Sequence, residues 1–158
     1  MTAHAAAKPP EAQPADVAAP HVIAVRVYFE DTDFSGSVYH ASYLRFLERG
    51  RTEFLRALGI EHRKLFAGGE SGCHFVVRAM TIDFLKPALM DDELSIDTAI
   101  AGMGGASIEM QQEIRRGEQV LLTAHVRIAV VAGGKARRIP AGIFAKLKPV
   151  AAATRNRP

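Results

Sequence analysis

A single long stretch of helical spacing, Tyr39–Leu58, separates one strand pattern from four more, and that order excludes most folds for a chain of this length. His21–Phe29 alternates, with Ile23, Val25, Val27 and Phe29 on one side and Arg26 and Tyr28 on the other, the period of a strand. Along Tyr39–Leu58 the apolar residues Tyr43, Leu47, Phe54 and Leu58 share one helical face, widened by Phe46 and Leu55. Gly59 predicts the C-terminal stop of this helix, and Ser35 or Ser37 its N-cap. Gly50 sits on the apolar face, where it costs about 1 kcal/mol relative to Ala; close approach of the helix to a sheet would offset that. A short helical link (Glu61–Ala67) and a Gly68-Gly69 break come next. Strands are then expected at Cys73–Lys86, Glu93–Ile100, Ser107–Arg115 and Val120–Val131, joined by turn residues such as Asp91-Asp92 and Arg116-Gly117. Ala141–Leu147 is expected to close the domain with a short helix.

This order is an α+β layout, a five-stranded antiparallel sheet wrapped around one long helix. The strand at 73–86 reads as apolar or small on both faces, with Phe75, Val77 and Ala79 against Val76, Met80, Ile82 and Phe84. Such a strand calls for cover on both faces. No helix is left to supply it, so a second subunit is expected, in a homodimer or homotetramer. Residues 1–20 are expected to be a disordered Ala/Pro-rich leader, 21–148 the folded domain and 149–158 a basic tail.

Hydrophobic content of 48% and charged content of 23% are ordinary for a globular protein. The net charge of +3 comes without an aromatic-interleaved basic stripe, a helix-turn-helix pattern or zinc-ligand spacing, so no nucleic-acid partner is expected. Phosphate-bearing small molecules and anionic lipid surfaces stay compatible with that charge. No apolar run approaches the roughly 20 residues of a membrane span. The N-terminus lacks the basic start and apolar stretch of a signal peptide. The cytoplasm is the expected location, with a place at the periphery of the inner membrane as the alternative. Cys73 is the only cysteine, which rules out a disulfide within the chain, and it reads as a small buried hydrophobe.

The chemistry concentrates in Tyr28–Tyr43. Three acidic residues, Glu30, Asp31 and Asp33, lead into a Gly36 turn and a helix opening at Val38–His40. This aims a carboxylate and the free N–H groups of a helix start at one point, an arrangement able to attack a carbonyl and hold the resulting oxyanion. Asp is also a common turn former, which is the plainer role for Asp31, and His40 can be simply a polar residue of the first helical turn. A metal site from Asp31, Asp33 and His40 lacks a second His at ligand spacing, and none is expected. Glu48, Arg49, Arg51 and Glu53 read as a solvated or interface face with an Arg49–Glu53 pair.

The run Val27-Tyr-Phe-Glu-Asp-Thr-Asp-Phe-Ser-Gly-Ser-Val-Tyr-His-Ala-Ser-Tyr-Leu-Arg-Phe-Leu-Glu-Arg-Gly-Arg-Thr-Glu-Phe-Leu55 closely resembles the tol–pal-associated acyl-CoA thioesterases, in the 4-hydroxybenzoyl-CoA thioesterase branch of the hotdog fold. The likeness continues through Phe75-Val-Val-Arg-Ala-Met-Thr-Ile-Asp-Phe-Leu-Lys-Pro87 and Leu94-Ser-Ile, covering roughly residues 22–148. It implies a hotdog fold and an acyl-CoA thioester hydrolase with Asp33 as the carboxylate, either nucleophile or general base. It implies the backbone N–H at His40 in the oxyanion hole, with the His40 imidazole and Tyr28 as further catalytic candidates. Val38 and Tyr39 are implied at the substrate, and Glu48 matches a helix position near the acyl pocket of the aromatic-acyl relatives. No cofactor is implied. Ser37 stands where many relatives carry a branched aliphatic residue, and Met103-Gly-Gly-Ala-Ser107 lacks the basic cluster that holds coenzyme A phosphates in the aromatic-acyl relatives. Acyl carrier protein is therefore an alternative acyl donor, and a non-catalytic acyl-binding or scaffolding module is the alternative function.

Overall fold

The computed structural model describes residues 19–67 and 72–155; nearly all of the expected leader and the Gly68-Gly69 break lie outside them. The elements are β1 (His21–Arg26), a short 3-10 turn (Phe29–Asp31), α1 (His40–Ala57), α2 (His62–Phe66), β2 (His74–Phe84), β3 (Glu93–Met103), β4 (Ser107–Arg116), β5 (Gln119–Ala132), β6 (Lys135–Ala136) and α3 (Ala141–Arg155). The antiparallel sheet runs β1-β3-β4-β5-β2, with β6 added on β5, and α1 packs on one face of it. This is the α+β hotdog arrangement that the period change and the resemblance imply.

The amphipathic stripe of α1 seats the helix. Tyr43, Phe46, Leu47, Phe54 and Leu55 are buried with Ile96 and Ile100 of β3, Ile108 and Met110 of β4, and Val126 of β5. Each fully buried aliphatic or aromatic side chain contributes about 1.5–3 kcal/mol. Gly50 lies where the helix comes nearest the sheet: a Cβ there would stand 2.8 Å from Ile96 Cγ2 and 2.9 Å from Thr98 Oγ1. Beneath it Gln112, wholly buried, donates to the Leu47 carbonyl and to Thr98 Oγ1, and accepts from Arg51 Nη1. The helix stops at Gly59, whose φ of +69° suits glycine, as expected.

Several expectations need correction. The first strand ends at Arg26, not Phe29, because the Asp31 carboxylate accepts the Tyr28 N–H and folds the chain into the 3-10 turn, leaving Phe29 exposed. Neither Ser35 nor Ser37 caps α1: antiparallel bridges Thr32–Val38 and Ser37–Leu89 keep the chain extended, and the N-cap is Tyr39, without a side-chain cap. Glu53 pairs with Arg56, while Arg49 lies over the Phe46 ring.

The strand at 73–86 is not apolar on both faces. A bulge between Val77 and Ala79 shifts the register, so Phe75, Val77, Met80, Ile82 and Phe84 all pair with core positions of β5. The opposite face carries Val76, Thr81 and Asp83 across from Ala129, His125 and Thr123. A helix is also left over. The expected closing helix at 141–147 extends to Arg155, through part of the segment expected to be tail, and buries Ile143, Leu147, Val150 and Ala151.

Candidate active site

The acidic segment is held by its own backbone. Val27 N–H donates to Asp92 O (2.9 Å), and Asp91 N–H to Val27 O (3.2 Å). Asp31 is buried and structural: its carboxylate accepts the Tyr28 N–H at 3.0 Å and lies 3.6 Å from Arg45 Nη2, while its carbonyl accepts the Tyr39 N–H at 2.8 Å. Asp31 thus fixes both ends of the loop that leads into α1.

Asp33 is exposed on that loop. Its Oδ1 accepts from the Ser35 hydroxyl (2.6 Å) and the Ser35 N–H (2.8 Å), and its backbone N–H donates to Ser37 O (2.9 Å). The two Ser35 donors hold the Asp33 carboxyl below the usual carboxylate range, with nearby His40 adding a smaller effect in the same direction. Oδ2 accepts no hydrogen bond among the described residues. An ionised carboxylate with one oxygen engaged and the other open is suited to attack or to proton abstraction.

The start of α1 is equally open. Ser42 N–H turns back to Tyr39 O at 2.8 Å, and Tyr39 N–H is taken by Asp31. The N–H groups of His40 and Ala41 have no partner among the described residues, and no side chain caps the helix. Free N–H donors at the positive end of an 18-residue helix favour a developing negative charge. Val38, His40, Tyr43, Phe84 and Pro87 help to line a depression of about 330 Å³ beside them.

Behind this start stands a clamp that the sequence pattern did not single out. Tyr43, expected only as a core residue, accepts the Ala88 N–H at its hydroxyl (2.8 Å). Ala88 O in turn accepts the Val38 N–H (2.9 Å), so the Pro87–Leu89 turn braces the residues just ahead of His40. Burial raises the Tyr43 phenol above its ordinary pKa and keeps it protonated. The available signal was a Tyr on a face otherwise built of Leu and Phe, since a buried phenol needs a hydrogen-bond partner.

Asp33, Val38, Tyr39 and His40 therefore share one loop and helix start; the Tyr39 and His40 rings lie tilted against each other with centroids 4.3 Å apart. Tyr28 is exposed at the other end of the Asp31 turn. Glu48 is not brought to this place within the protomer. It lies roughly 12 Å further along the helix axis, accepts a hydrogen bond from Thr52 Oγ1 at 2.6 Å, and lines a separate cleft of about 500 Å³ with Arg56 and His62. That cleft is larger, but it lies away from the loop where Asp33 meets the helix start. Cys73 is buried, and burial raises its thiol pKa, so it is an inert core residue.

The family model of the thioesterase-like superfamily matches residues 27–150. The chain is 44% identical over 127 residues to the acyl-CoA thioester hydrolase YbgC of Escherichia coli O6:H1, covering 78% of this chain and 92% of that protein. It is 42% identical over 115 residues to the acyl-CoA thioesterase YbgC of Haemophilus influenzae, covering 73% of this chain and 83% of that one. A solved probable thioesterase from Bartonella henselae matches with a TM-score of 0.75 at 50% identity, covering 77% of this chain and 100% of that structure. The chain therefore belongs to the thioesterase-like superfamily, in the branch of the YbgC acyl-CoA thioesterases.

Proposed function

We propose that this protein hydrolyses acyl-CoA thioesters, with Asp33 as the reacting carboxylate and the N–H groups of His40 and Ala41 as the oxyanion site. The observation that carries this reading is the ionised, half-engaged Asp33 carboxylate on the loop that opens into an uncapped helix start. As nucleophile, Asp33 attacks the thioester carbon, the carbonyl oxygen becomes an oxyanion facing the helix start, and the C–S bond breaks. The thiolate takes a proton to leave as free coenzyme A, and water then cleaves the mixed anhydride to release the acid. As general base, Asp33 instead takes a proton from water as its oxygen adds to the thioester carbon. An oxyanion forms at the same place, the C–S bond breaks as it collapses to the acid, and Asp33 returns the proton to the thiolate. In both routes each oxyanion donor is worth about 10²–10³ in rate. Val38 and Tyr39 border the reacting group, and Tyr28 and the His40 imidazole are secondary candidates for contact with it.

The active form is a homo-oligomer in this reading. β2 is an outer strand whose core-side residues Val77 and Phe84 are 44% and 53% exposed, and Leu85 and Met90 beyond it are exposed too. An apolar, unpaired strand edge favours pairing with a second copy. Acyl carrier protein is the alternative acyl donor.

Release of free thiol from a panel of acyl-CoAs of different chain length tests the activity. The wild-type protein is expected to turn over at least one of them. Asp33→Asn is expected to lose two or more orders of magnitude in kcat/KM while keeping its melting temperature. Full activity in the purified variant would remove Asp33 from the mechanism. Stabilisation by acyl-CoA without turnover would instead identify an acyl-binding module.

A further inference from the structure

Charge is segregated along this chain. All 17 Asp and Glu residues lie at or before Glu118, and the chain beyond it holds Lys and Arg but no acidic residue. The fold gathers part of this excess at one end of the sheet. Lys135 lies in β6 and Arg137 and Arg138 in the link that follows, at that end, while Lys146 and Lys148 lie further along, in α3. Two backbone hydrogen bonds pin the link to the sheet end, Arg137 N–H to Val130 O and Ile139 N–H to Gly105 O, each 2.8 Å. The buried face of α3 fixes the helix behind it.

Of these five cations Lys146 faces the Glu61 carboxylate, and the other four are unneutralised among the described residues. Lys146 donates to Gly59 O at 2.7 Å, but Lys135, Arg137, Arg138 and Lys148 are exposed and engage no ion pair or side-chain hydrogen bond among the described residues. Phe144, one turn before Lys148, also presents its ring to solvent. The surface is remote from the candidate active site of the same protomer. β3 begins at Glu93, beside the Asp33 loop, and ends at Met103, beside the hairpin that holds Ile139; its 11 residues span roughly 33 Å.

We propose that this end of the molecule docks on anionic phospholipid headgroups. Each Lys or Arg near an anionic membrane surface strengthens binding by about fivefold. An exposed aromatic ring among the cations adds an apolar contact at the headgroup boundary. The attraction falls with salt, because the groups are exposed. No helix among the described residues is long and apolar enough to cross a membrane, so the association is peripheral.

The test is co-sedimentation of the full chain with vesicles of phosphatidylglycerol and phosphatidylcholine, against phosphatidylcholine alone. Binding is expected only to the anionic vesicles, weaker at higher salt. The combined variant Lys135→Glu, Arg137→Glu, Arg138→Glu is expected to reduce it by about 100-fold or more, with kcat and KM for soluble acyl-CoA unchanged. The milder pair Arg137→Gln, Arg138→Gln, expected to weaken binding by about 25-fold, serves if the reversals fail to fold. Absence of binding to anionic vesicles at low salt overturns the proposal, as does binding that survives the substitutions. Charge variants that leave vesicle binding intact but raise KM for acyl-CoA would assign the surface to the nucleotide phosphates instead.

Discussion

At Asp33 the decisive interaction is with a neighbour two positions away. The Ser35 hydroxyl and N–H stabilise the charged carboxylate, so its folded pKa lies below the value of about 3.9 for a free Asp. With a depressed folded pKa, Asp33 favours the native state above the unfolded value, and that contribution is lost as pH falls through the folded one. The same shift keeps the carboxylate available in mild acid. Ser35→Ala removes the stronger of the two bonds and is expected to move the acidic limb of the kcat/KM–pH profile upward, while the plateau near neutrality changes little. A limb that stays in place would separate Ser35 from the ionisation of the reacting group. Sequence pattern placed Asp33 and His40 on the two sides of one turn. It missed that Ser35 serves Asp33 rather than the helix, because a serine before a helix carries the same signature whether it caps the helix or closes an Asp turn.

For the elements, the helix start depends on a turn from a distant part of the chain. Tyr43→Phe removes the acceptor of the buried Ala88 N–H, and an unsatisfied buried donor costs about 1–3 kcal/mol. The variant is expected to melt several degrees lower and to lose activity beyond the loss of folded protein, since the Ala88–Val38 bond aligns the residues before His40. Unchanged kcat/KM in the folded fraction would make the clamp purely structural. Gly50 tests the seat of the same helix. Gly50→Leu adds a side chain where a single Cβ already meets Ile96 Cγ2 at 2.8 Å, and overpacking of this kind costs about 1–3 kcal/mol or more. Thermal or denaturant unfolding reads the loss, and a variant as stable as wild type would show that the helix can lift off the sheet. The close approach of Gly50 was legible from its place on the apolar stripe. The Gln112 knot beneath it was not, because one inward-facing Gln among Ile108, Met110 and Ile114 does not name its partners.

For the whole molecule, the exposed edge of β2 gives the assembly prediction. Val77→Glu with Phe84→Glu, two exposed members of that apolar row, is expected to shift the protein from oligomer to monomer in light scattering and to lower activity. An oligomer of unchanged mass would place the interface elsewhere. The sequence by itself determined the element order, the single long amphipathic helix and the loop that carries Asp33 to the helix start. These follow from local hydrophobic period and turn chemistry, which need only a few neighbouring residues. Tertiary structure alone decided that the alternation in β2 breaks at a bulge and gathers Phe75, Val77, Met80, Ile82 and Phe84 on one face. It also decided that Ala141–Arg155 is one helix docked on the sheet, and that Tyr43 reaches Ala88 across 45 residues. Each of these depends on which strand or turn lies opposite, and a pattern of neighbours along the chain does not contain that pairing.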